Sequence, residues 1–240
     1  MYQTLDQKKR PLTLLLKGVS GVGKTTKAAY FPSPVFFNFD NNIAALRKLP
    51  KEVHDAVRIV NPRINDKNEE IKPELVWGNF VKQLEKVLED DSVKTIIIDS
   101  LTTLSEVIID KSLGTGSPDK RIELQNWGDL NRFLKWIGDF LLCAQELDKH
   151  VIFIAHEMME KDKLTEEIIW TLNIGGKIRT SYDLYFSDVW RCFIKQGTSG
   201  PDYMVQTVPG SNFSAKCSLN LPDKFKWLDQ IKSIQEQIKL

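Results

Sequence analysis

Short runs of apolar residues recur along the chain and predict β-strands. They are Leu12–Leu16, Val35–Phe39, Val57–Val60, Thr95–Ile98 and Val151–Ala155. A run of consecutive apolar residues is typical of a strand that is covered on both faces, as in a parallel sheet. Stretches with helical patterns separate these runs. The alternation of strand and helix favours an α/β fold with a mainly parallel central sheet flanked by helices.

Helices are predicted between the strands and at the end of the chain. The clearest is 75–88, because its apolar residues recur at helical spacing. They are Leu75, Val76, Phe80, Val81, Leu84, Val87 and Leu88. The other predicted helices are 101–113, 127–147 and 225–238, and a shorter one ends before Pro32.

Two regions in the second half of the chain depart from this alternation. Residues 188–194 and 203–208 predict an antiparallel pair of strands, joined through two glycines. Residues 157–180 are charged and show no clear period, so they predict a long loop. Long loops inside compact domains are usually functional or disordered. No stretch has the composition of an interdomain linker, and a single domain is predicted for 1–240.

The composition is that of an ordinary globular protein. Of 240 residues, 42% are hydrophobic and 27% charged, and the formal net charge is +1. Any contact with nucleic acid must therefore come from local patches, since there is no overall basic field. The cysteines Cys143, Cys192 and Cys217 lack metal-ligand spacing and are predicted to be reduced thiols. No run approaches the length of a membrane span, so we expect a soluble, cytoplasmic protein with no membrane contact.

A glycine-rich segment between the first strand and the first helix has the pattern G-x-x-x-x-G-K-T. It comprises Gly18, Val19, Ser20, Gly21, Val22, Gly23, Lys24 and Thr25, followed by Thr26. Glycines let the backbone curl so that successive N–H groups face a phosphate, and the helix N-terminus adds partial positive charge. Lys24 is predicted to reach the β- and γ-phosphates, and the Thr25 hydroxyl to bind Mg²⁺. The segment predicts a P-loop, with ATP and Mg²⁺ as ligands.

A second motif follows the predicted strand Thr95–Ile98. Asp99 stands at the carboxyl end of this strand, which is the edge where α/β sheets bind ligands. An aspartate in this place can also cap the next helix. In a chain with a P-loop, it is predicted to hold the Mg²⁺ ion, directly or through water.

Together with weaker motifs, these segments resemble the RecA-like phage P-loop ATPases, a family that includes single-strand annealing proteins. The ordered series is Lys24-Thr25-Thr26, Phe36-Phe-Asn-Phe-Asp40, Ile98-Asp99-Ser100, Trp127-Gly-Asp-Leu-Asn131, Ile154-Ala-His156-Glu157, Gly175-Gly-Lys177 and Ala215-Lys216. It covers the chain from about 12 to 219. The resemblance implies a RecA-like fold and an ATPase that acts on single-stranded DNA in recombination or annealing. It also implies a homo-oligomeric ring or filament, a single-strand DNA-binding protein as a further partner, and a place in the host cytoplasm.

The resemblance also assigns roles to polar residues. The family activates water with an acidic residue beside the P-loop strand, and Asp40 is the matching position, with an aspartate where the family pattern has glutamate. Glu157 is the alternative base. His156 matches the residue that senses the γ-phosphate, and Lys216 matches a cation that reaches the neighbouring subunit's nucleotide. Without these roles they would be turn, strand-end or surface residues. The predicted catalytic set is Lys24, Asp40, Asp99, His156 and Lys216.

The loop predicted over 157–180 matches the family's loop that faces single-stranded DNA. Its cations can follow phosphates, and its tryptophan can stack on a base. The residues are Lys161, Lys163, Trp170, Lys177 and Arg179. Acidic residues in the same segment offset most of this charge. A solvated loop or a protein contact is therefore the alternative for this segment. A second candidate for DNA contact, 111–121, contributes Lys111, Lys120 and Arg121.

Two other functions fit the sequence. A nucleotide-gated interaction protein with little hydrolysis would account for the near-neutral charge and for the serine, not glutamate, after Asp99. A small-molecule P-loop kinase would also need the phosphate loop. Such kinases commonly use an arginine-bearing lid, and 157–180 has one arginine and no lid pattern.

Overall fold

A computed structural model of the chain describes residues 11–114, 124–161, 166–175, 178–198 and 200–239. The strands are β1 (Thr13–Gly18), β2 (Pro34–Asn38), β3 (Arg58–Val60), β4 (Thr95–Asp99), β5 (His150–Lys161), β6 (Ile168–Leu172), β7 (Asp188–Gly197), β8 (Gly200–Gln206) and β9 (Lys224–Lys226). The helices are α1 (Lys24–Ala28), α2 (Lys51–Ala56), α3 (Pro73–Glu89), α4 (Leu101–Leu113), α5 (Leu124–Glu146), α6 (Ile178–Ser181) and α7 (Trp227–Gln237). Two 3₁₀ turns lie at Ala44–Lys48 and Tyr182–Leu184.

The strands are hydrogen-bonded in the order β3-β2-β4-β5-β1-β7-β8-β9. From β3 to β7 along this path, neighbouring strands are parallel. At the β7 edge, β8 and β9 are antiparallel, and β6 pairs antiparallel with the outer part of β5. The predicted α/β class is confirmed, with its mainly parallel sheet and an antiparallel pair near the C-terminus.

Side chains of the central strands alternate between two buried clusters on opposite faces of the sheet. Leu15 and Phe153 belong to the cluster that α3, α4 and α5 cover. Leu16 and Ile154 belong to the cluster that α1 and α7 cover. We call these the α3–α5 face and the α1–α7 face. Because both faces are covered, the central strands are apolar at consecutive positions, which is the pattern that predicted them.

Most elements lie close to their predicted bounds. The helices α3, α4 and α5 begin and end within three residues of the predicted positions. The predicted helix 225–238 begins later, at Trp227, because Lys224–Lys226 pairs with β8 as a short edge strand. In the described parts of the chain, no helix is both long and apolar enough to cross a bilayer.

The prediction of a long loop over 157–180 is wrong for much of the part that the structure describes. Strand β5 continues to Lys161 and forms a hairpin with β6, in which Met159 lies opposite Trp170. The side chains of β5 are largely exposed from Met158 onward. Strand β6 is rich in β-branched and aromatic residues and buries Thr171 and Leu172, so its composition was a usable strand signal that the surrounding charges obscured.

Candidate functional site

The glycine-rich segment joins the end of β1 to the start of α1. Gly23 has φ 77° and ψ 29°, a left-handed conformation that favours glycine. Gly18 has φ 152°, and a Cβ added there would overlap the carbonyl oxygen of Cys192 on the adjacent strand β7. The segment thus has the tight backbone curl of a phosphate-binding loop, and glycine is needed at both positions.

Lys24 opens α1 and folds its ammonium group back over the loop. Its Nζ donates hydrogen bonds to the carbonyl oxygens of Gly18 and Val19, each at 2.8 Å. Burial lowers the pKa of Lys24, while nearby acidic groups, Asp99 among them, oppose the shift. When a phosphate is bound, Lys24 Nζ can donate to its charged oxygens instead of to these neutral carbonyl oxygens. Hydrogen bonds between a cation and a charged acceptor are the stronger kind.

Thr25, in the first turn of α1, meets Asp99, at the end of β4, although β5 lies between β4 and the strand β1 that leads to α1. Thr25 Oγ1 donates a hydrogen bond to Asp99 Oδ2 at 2.8 Å. Burial raises the pKa of Asp99 to about 6, and the hydrogen bond from Thr25 partly offsets this rise. A hydroxyl and a carboxylate beside a phosphate loop are oxygen ligands of the kind that Mg²⁺ takes. The two residues therefore fit the ion predicted for them.

Asp40 follows β2 and is held by two hydroxyl groups at the start of α4. Its Oδ1 accepts a hydrogen bond from Ser100 Oγ at 2.9 Å and another from Thr103 Oγ1. Burial alone would raise the pKa of Asp40, but hydrogen bonds from His156 and from these hydroxyls bring it below its usual value. Asp40 is therefore a carboxylate at neutral pH.

His156 connects the phosphate loop to Asp40. Its Nδ1 lies 3.4 Å from Lys24 Nζ, and its Nε2 lies 3.4 Å from Asp40 Oδ2. It is opposite Gly18 in the β1–β5 register, and its backbone N–H donates to Thr102 Oγ1 at 3.1 Å. One imidazole thus contacts both the loop cation and the candidate base.

These groups line one cleft of about 870 Å³ at the carboxyl ends of the parallel strands. This volume is within the usual range for small-molecule sites. The predicted residues that line it are Ser20, Gly21, Gly23, Lys24, Thr25, Thr26, Asp40, Asp99 and His156. The rest of its wall comes from Lys27, Tyr30 and Ile154, from the β2–α2 connection, and from β8, β9 and the start of α7. The sequence motifs therefore converge on a single cleft.

Glu157, the alternative base, lies on the opposite side of the sheet from His156. Its Oε1 is 3.0 Å from Lys17 Nζ, and its Oε2 accepts a hydrogen bond from Arg191 Nε at 2.8 Å. Lys17 Nζ also donates to Tyr182 Oη at 2.7 Å. Both oxygens of Glu157 are engaged in a buried ionic network on the α3–α5 face, so Glu157 is removed from the candidates for the base.

The described residues of the predicted DNA-facing segment have partners within the chain. Lys161 lies 3.3 Å from Glu166, and Arg179 lies 3.2 Å from Glu160. The ring of Trp170 lies 4.6 Å from the Arg191 guanidinium, which also contacts Phe213. The other predicted contacts, Lys120, Arg121, Lys163 and Lys177, lie outside the described residues.

Lys216 stands apart from the cleft. It forms an antiparallel bridge with Val189, in which each backbone N–H donates to the other residue's carbonyl at 2.9 Å. The side chain is exposed and is not among the cleft's lining residues. Within one subunit, Lys216 therefore does not join the other predicted catalytic residues.

Sequence reasoning missed the hydroxyls that hold Asp40 and the cations that hold Glu157. Ser100 and Thr103 are three residues apart at the start of a helix, a spacing that aligns two side chains on one side of its first turn. That spacing was a usable signal for the first pair. Lys17 and Arg191 carry no such signal, because their link to Glu157 depends on strand order.

Comparison with known proteins gives two kinds of result. Similar solved structures include a KaiC-like protein of the archaeon Pyrococcus horikoshii OT3, with 18% identity, TM-score 0.47, and coverage of 82% of this chain and 79% of that one. They also include the RadB recombinase, with 14% identity, TM-score 0.45, and coverage of 82% and 80%. Likeness at this level is too weak to carry function to this chain. No curated protein matched in a sequence search.

The family comparison is stronger, because it extends over most of the chain. A model described as AAA domain matches residues 10–219, which include the P-loop and every predicted catalytic residue. The chain therefore belongs to the AAA domain family.

Proposed function

We propose that this protein binds ATP with Mg²⁺ in the P-loop cleft and hydrolyses it. The observation that carries the proposal is the hydrogen bond between Thr25 and Asp99 beside the ammonium group of Lys24. A loop hydroxyl, a strand-end carboxylate and a loop lysine at one cleft are the parts that P-loop proteins use on a bound triphosphate. Thr25 and Asp99 would hold Mg²⁺, and the ion would supply positive charge that offsets the charge of the phosphate groups.

Asp40 accepts a proton from the attacking water in this proposal. Its pKa is low enough that it is ionised at neutral pH, and Oδ1 is fixed by two hydroxyl donors. Its Oδ2 makes the longer contact with His156, at 3.4 Å. His156 contacts both Asp40 and Lys24, so a phosphate bound to Lys24 can reorient the imidazole next to the base.

The protein acts on single-stranded DNA through the β5–β6 hairpin, in recombination or strand annealing. Asn173, just after β6, donates its backbone N–H to the carbonyl oxygen of His156 at 2.8 Å. This bond ties the base of the hairpin to the backbone of the residue that would sense the phosphate. In an assembly of identical subunits, Lys216 reaches a neighbour's cleft. The exposure of its side chain supports this role.

A specific observation favours a second function, that of a nucleotide-gated interaction protein. Lys161 and Arg179 on or beside the hairpin are paired with acidic residues. The apolar side chains of Met158, Met159 and Ile168 are exposed on the same hairpin. Neutralised cations beside exposed apolar groups suit a protein partner better than a phosphate backbone.

ATP hydrolysis with and without single-stranded DNA tests both functions. Phosphate release is measured for the wild type and for Asp40→Asn at saturating MgATP, together with binding of each protein to ATP. We expect DNA to raise turnover of the wild type, and Asp40→Asn to bind ATP while losing turnover. If the rate of ATP hydrolysis is the same with and without single-stranded DNA, the protein is an ATPase that does not act on DNA. Binding without turnover in the wild type would favour the nucleotide-gated protein.

A further inference from the structure

The cleft continues past the phosphate loop to a wall built from the C-terminal part of the chain. The wall residues come from β8, β9 and the first turn of α7. They are Pro201, Asp202, Tyr203, Lys226, Trp227, Leu228 and Asp229. The family match ends at residue 219. Lys226 to Asp229 therefore belong to a segment that lies outside the family match and yet lines the same cleft as the P-loop.

This wall is anchored to the core. Strand β9 pairs with β8, with Phe225 opposite Val205, and both of these side chains are buried. Trp227 is buried as well, and its ring stacks on Phe31 at 6.3 Å between centroids. The segment is held by backbone pairing and by aromatic packing on the α1–α7 face, so its position relative to the phosphate loop is fixed.

Tyr203 brings the wall into contact with the phosphate loop. A Cβ added to Gly23 would meet Tyr203 Cδ1 at 3.3 Å, so the ring lies directly against the loop backbone. Lys27 Nζ is 5.6 Å from the same ring centroid. The remainder of the ring is open, since 46% of Tyr203 is exposed. Because Tyr203 contacts the loop and lines the cleft, its ring is within reach of a group attached to a phosphate bound there.

Leu228 extends the apolar surface next to Tyr203. It is 73% exposed, although it lines a cleft and follows a buried tryptophan. Small-molecule pockets are lined mainly by apolar and aromatic side chains, and Leu228 and Tyr203 supply side chains of this kind to the wall of the cleft. The nearest charged groups of the wall are occupied with each other, because Lys226 Nζ lies 2.8 Å from Asp202 Oδ1. The wall therefore offers an apolar face between paired charges.

We propose that this C-terminal wall is the nucleoside-binding part of the cleft, where Tyr203 and Leu228 pack against the base and ribose of the bound triphosphate. The inference rests on the proposed function, since it assumes that the phosphates occupy the P-loop. A planar, largely apolar base fits a surface made of an aromatic ring and a leucine, whereas the phosphates need the cations and N–H groups of the loop.

The test compares a nucleotide with a ligand that has the phosphates alone. Affinities for MgATP and for magnesium tripolyphosphate are measured by calorimetry on the full chain as wild type and as Leu228→Ala. Leu142→Ala is the matched control, because Leu142 is another exposed leucine on a helix and lies outside the cleft. Leu228→Ala should weaken ATP binding about fivefold. Tripolyphosphate binding should not change in any variant.

Each other outcome contradicts the inference in a distinct way. Equal weakening of both ligands would mean that Leu228 acts on the phosphate loop, and no change in either would mean that the nucleoside lies elsewhere. Either result would refute nucleoside binding at the C-terminal wall, but neither would refute phosphate binding at the P-loop. A wild type that binds neither ligand would refute the proposed function itself, and the inference with it.

Discussion

His156 and Glu157 are neighbours on β5, but they face two very different environments. The His156 side chain is 30% exposed, and its contacts with Lys24 and Asp40 are both 3.4 Å long. The Glu157 side chain is 0% exposed, and its contacts with Lys17 and Arg191 are 3.0 and 2.8 Å long. Long contacts at an open cleft can tighten around a ligand, whereas short contacts between buried charges fix a structure.

The comparison shows how one strand serves both function and stability. Since successive side chains of a strand point to opposite faces, β5 supplies a polar group to the cleft and a carboxylate to the core in two consecutive residues. The buried network joins β5 to β1 and β7, the two strands that carry Lys17 and Arg191. We infer that the network holds the phosphate loop and the base of the hairpin in register.

The largest effect is expected from Glu157→Gln. Removing this carboxylate leaves the buried cation of Lys17 and the nearly buried one of Arg191 without their counter-charge, which should cost about 3–5 kcal/mol of unfolding free energy. Urea unfolding of the ligand-free protein measures this. Glu160→Gln is the control, because its partly exposed pair with Arg179 should contribute about 1 kcal/mol or less. Similar small losses in both variants would contradict the structural role of the network.

Asp99→Asn should change stability in the opposite direction. The pKa of Asp99 is raised to about 6 in the folded state, so ionisation costs stability as pH rises from about 4 to 6. The asparagine variant should therefore be more stable than wild type at pH 7, by up to about 3 kcal/mol, and no more stable near pH 3.5.

The same Asp99→Asn variant should lose Mg²⁺-dependent ATP affinity. Thermal unfolding across this pH range, with the exposed Asp139→Asn as control, separates the effect of burial from a general charge effect. A variant that is less stable than wild type at pH 7, or that keeps full MgATP affinity, would argue against the assigned position and role of Asp99.

The smallest effect on stability is expected from His156→Ala. Because the imidazole is partly exposed and its contacts are long, unfolding free energy should change by less than about 1 kcal/mol. Turnover at saturating ATP should fall at least about tenfold, since the group that links Lys24 to Asp40 is lost. The exposed His54→Ala serves as control. A stability loss as large as that of Glu157→Gln, or unchanged turnover, would contradict the assignment of His156 to function and of Glu157 to stability.

Much of the fold and half of the site follow from local sequence patterns. The central strands are apolar at consecutive positions, and the P-loop is a contiguous motif. A few consecutive residues are therefore enough to predict both. Asp99 and His156 were also accessible, because each ends an apolar strand at the edge where ligands bind. Their contacts with Thr25, Lys24 and Asp40 then follow from the parallel order of the strands.

The rest depends on partners that are distant in sequence. Glu157 contacts Lys17 on the adjoining strand β1 and Arg191 on β7, one strand further away. No local sequence pattern marks three residues that meet in this way. The hairpin was missed because its strands flank a charged segment, whose charges were given more weight than the strand-forming residues Ile168–Leu172. The C-terminal wall was missed because the sequence predicts only a helix over 225–238 and carries no sign that the first turn of this helix lies at the cleft. The roles of Lys216 and of the DNA contacts stay predictions.

Calorimetric titration of MgATP into wild type and Lys24→Ala measures whether the cleft over Lys24 binds ATP. We expect one bound ATP per wild-type chain and a loss of at least about tenfold in affinity for Lys24→Ala, because charge-assisted bonds to phosphate disappear. The exposed Lys195→Ala should match wild type. Equal ATP affinity in wild type and Lys24→Ala would show that ATP does not bind at this cleft.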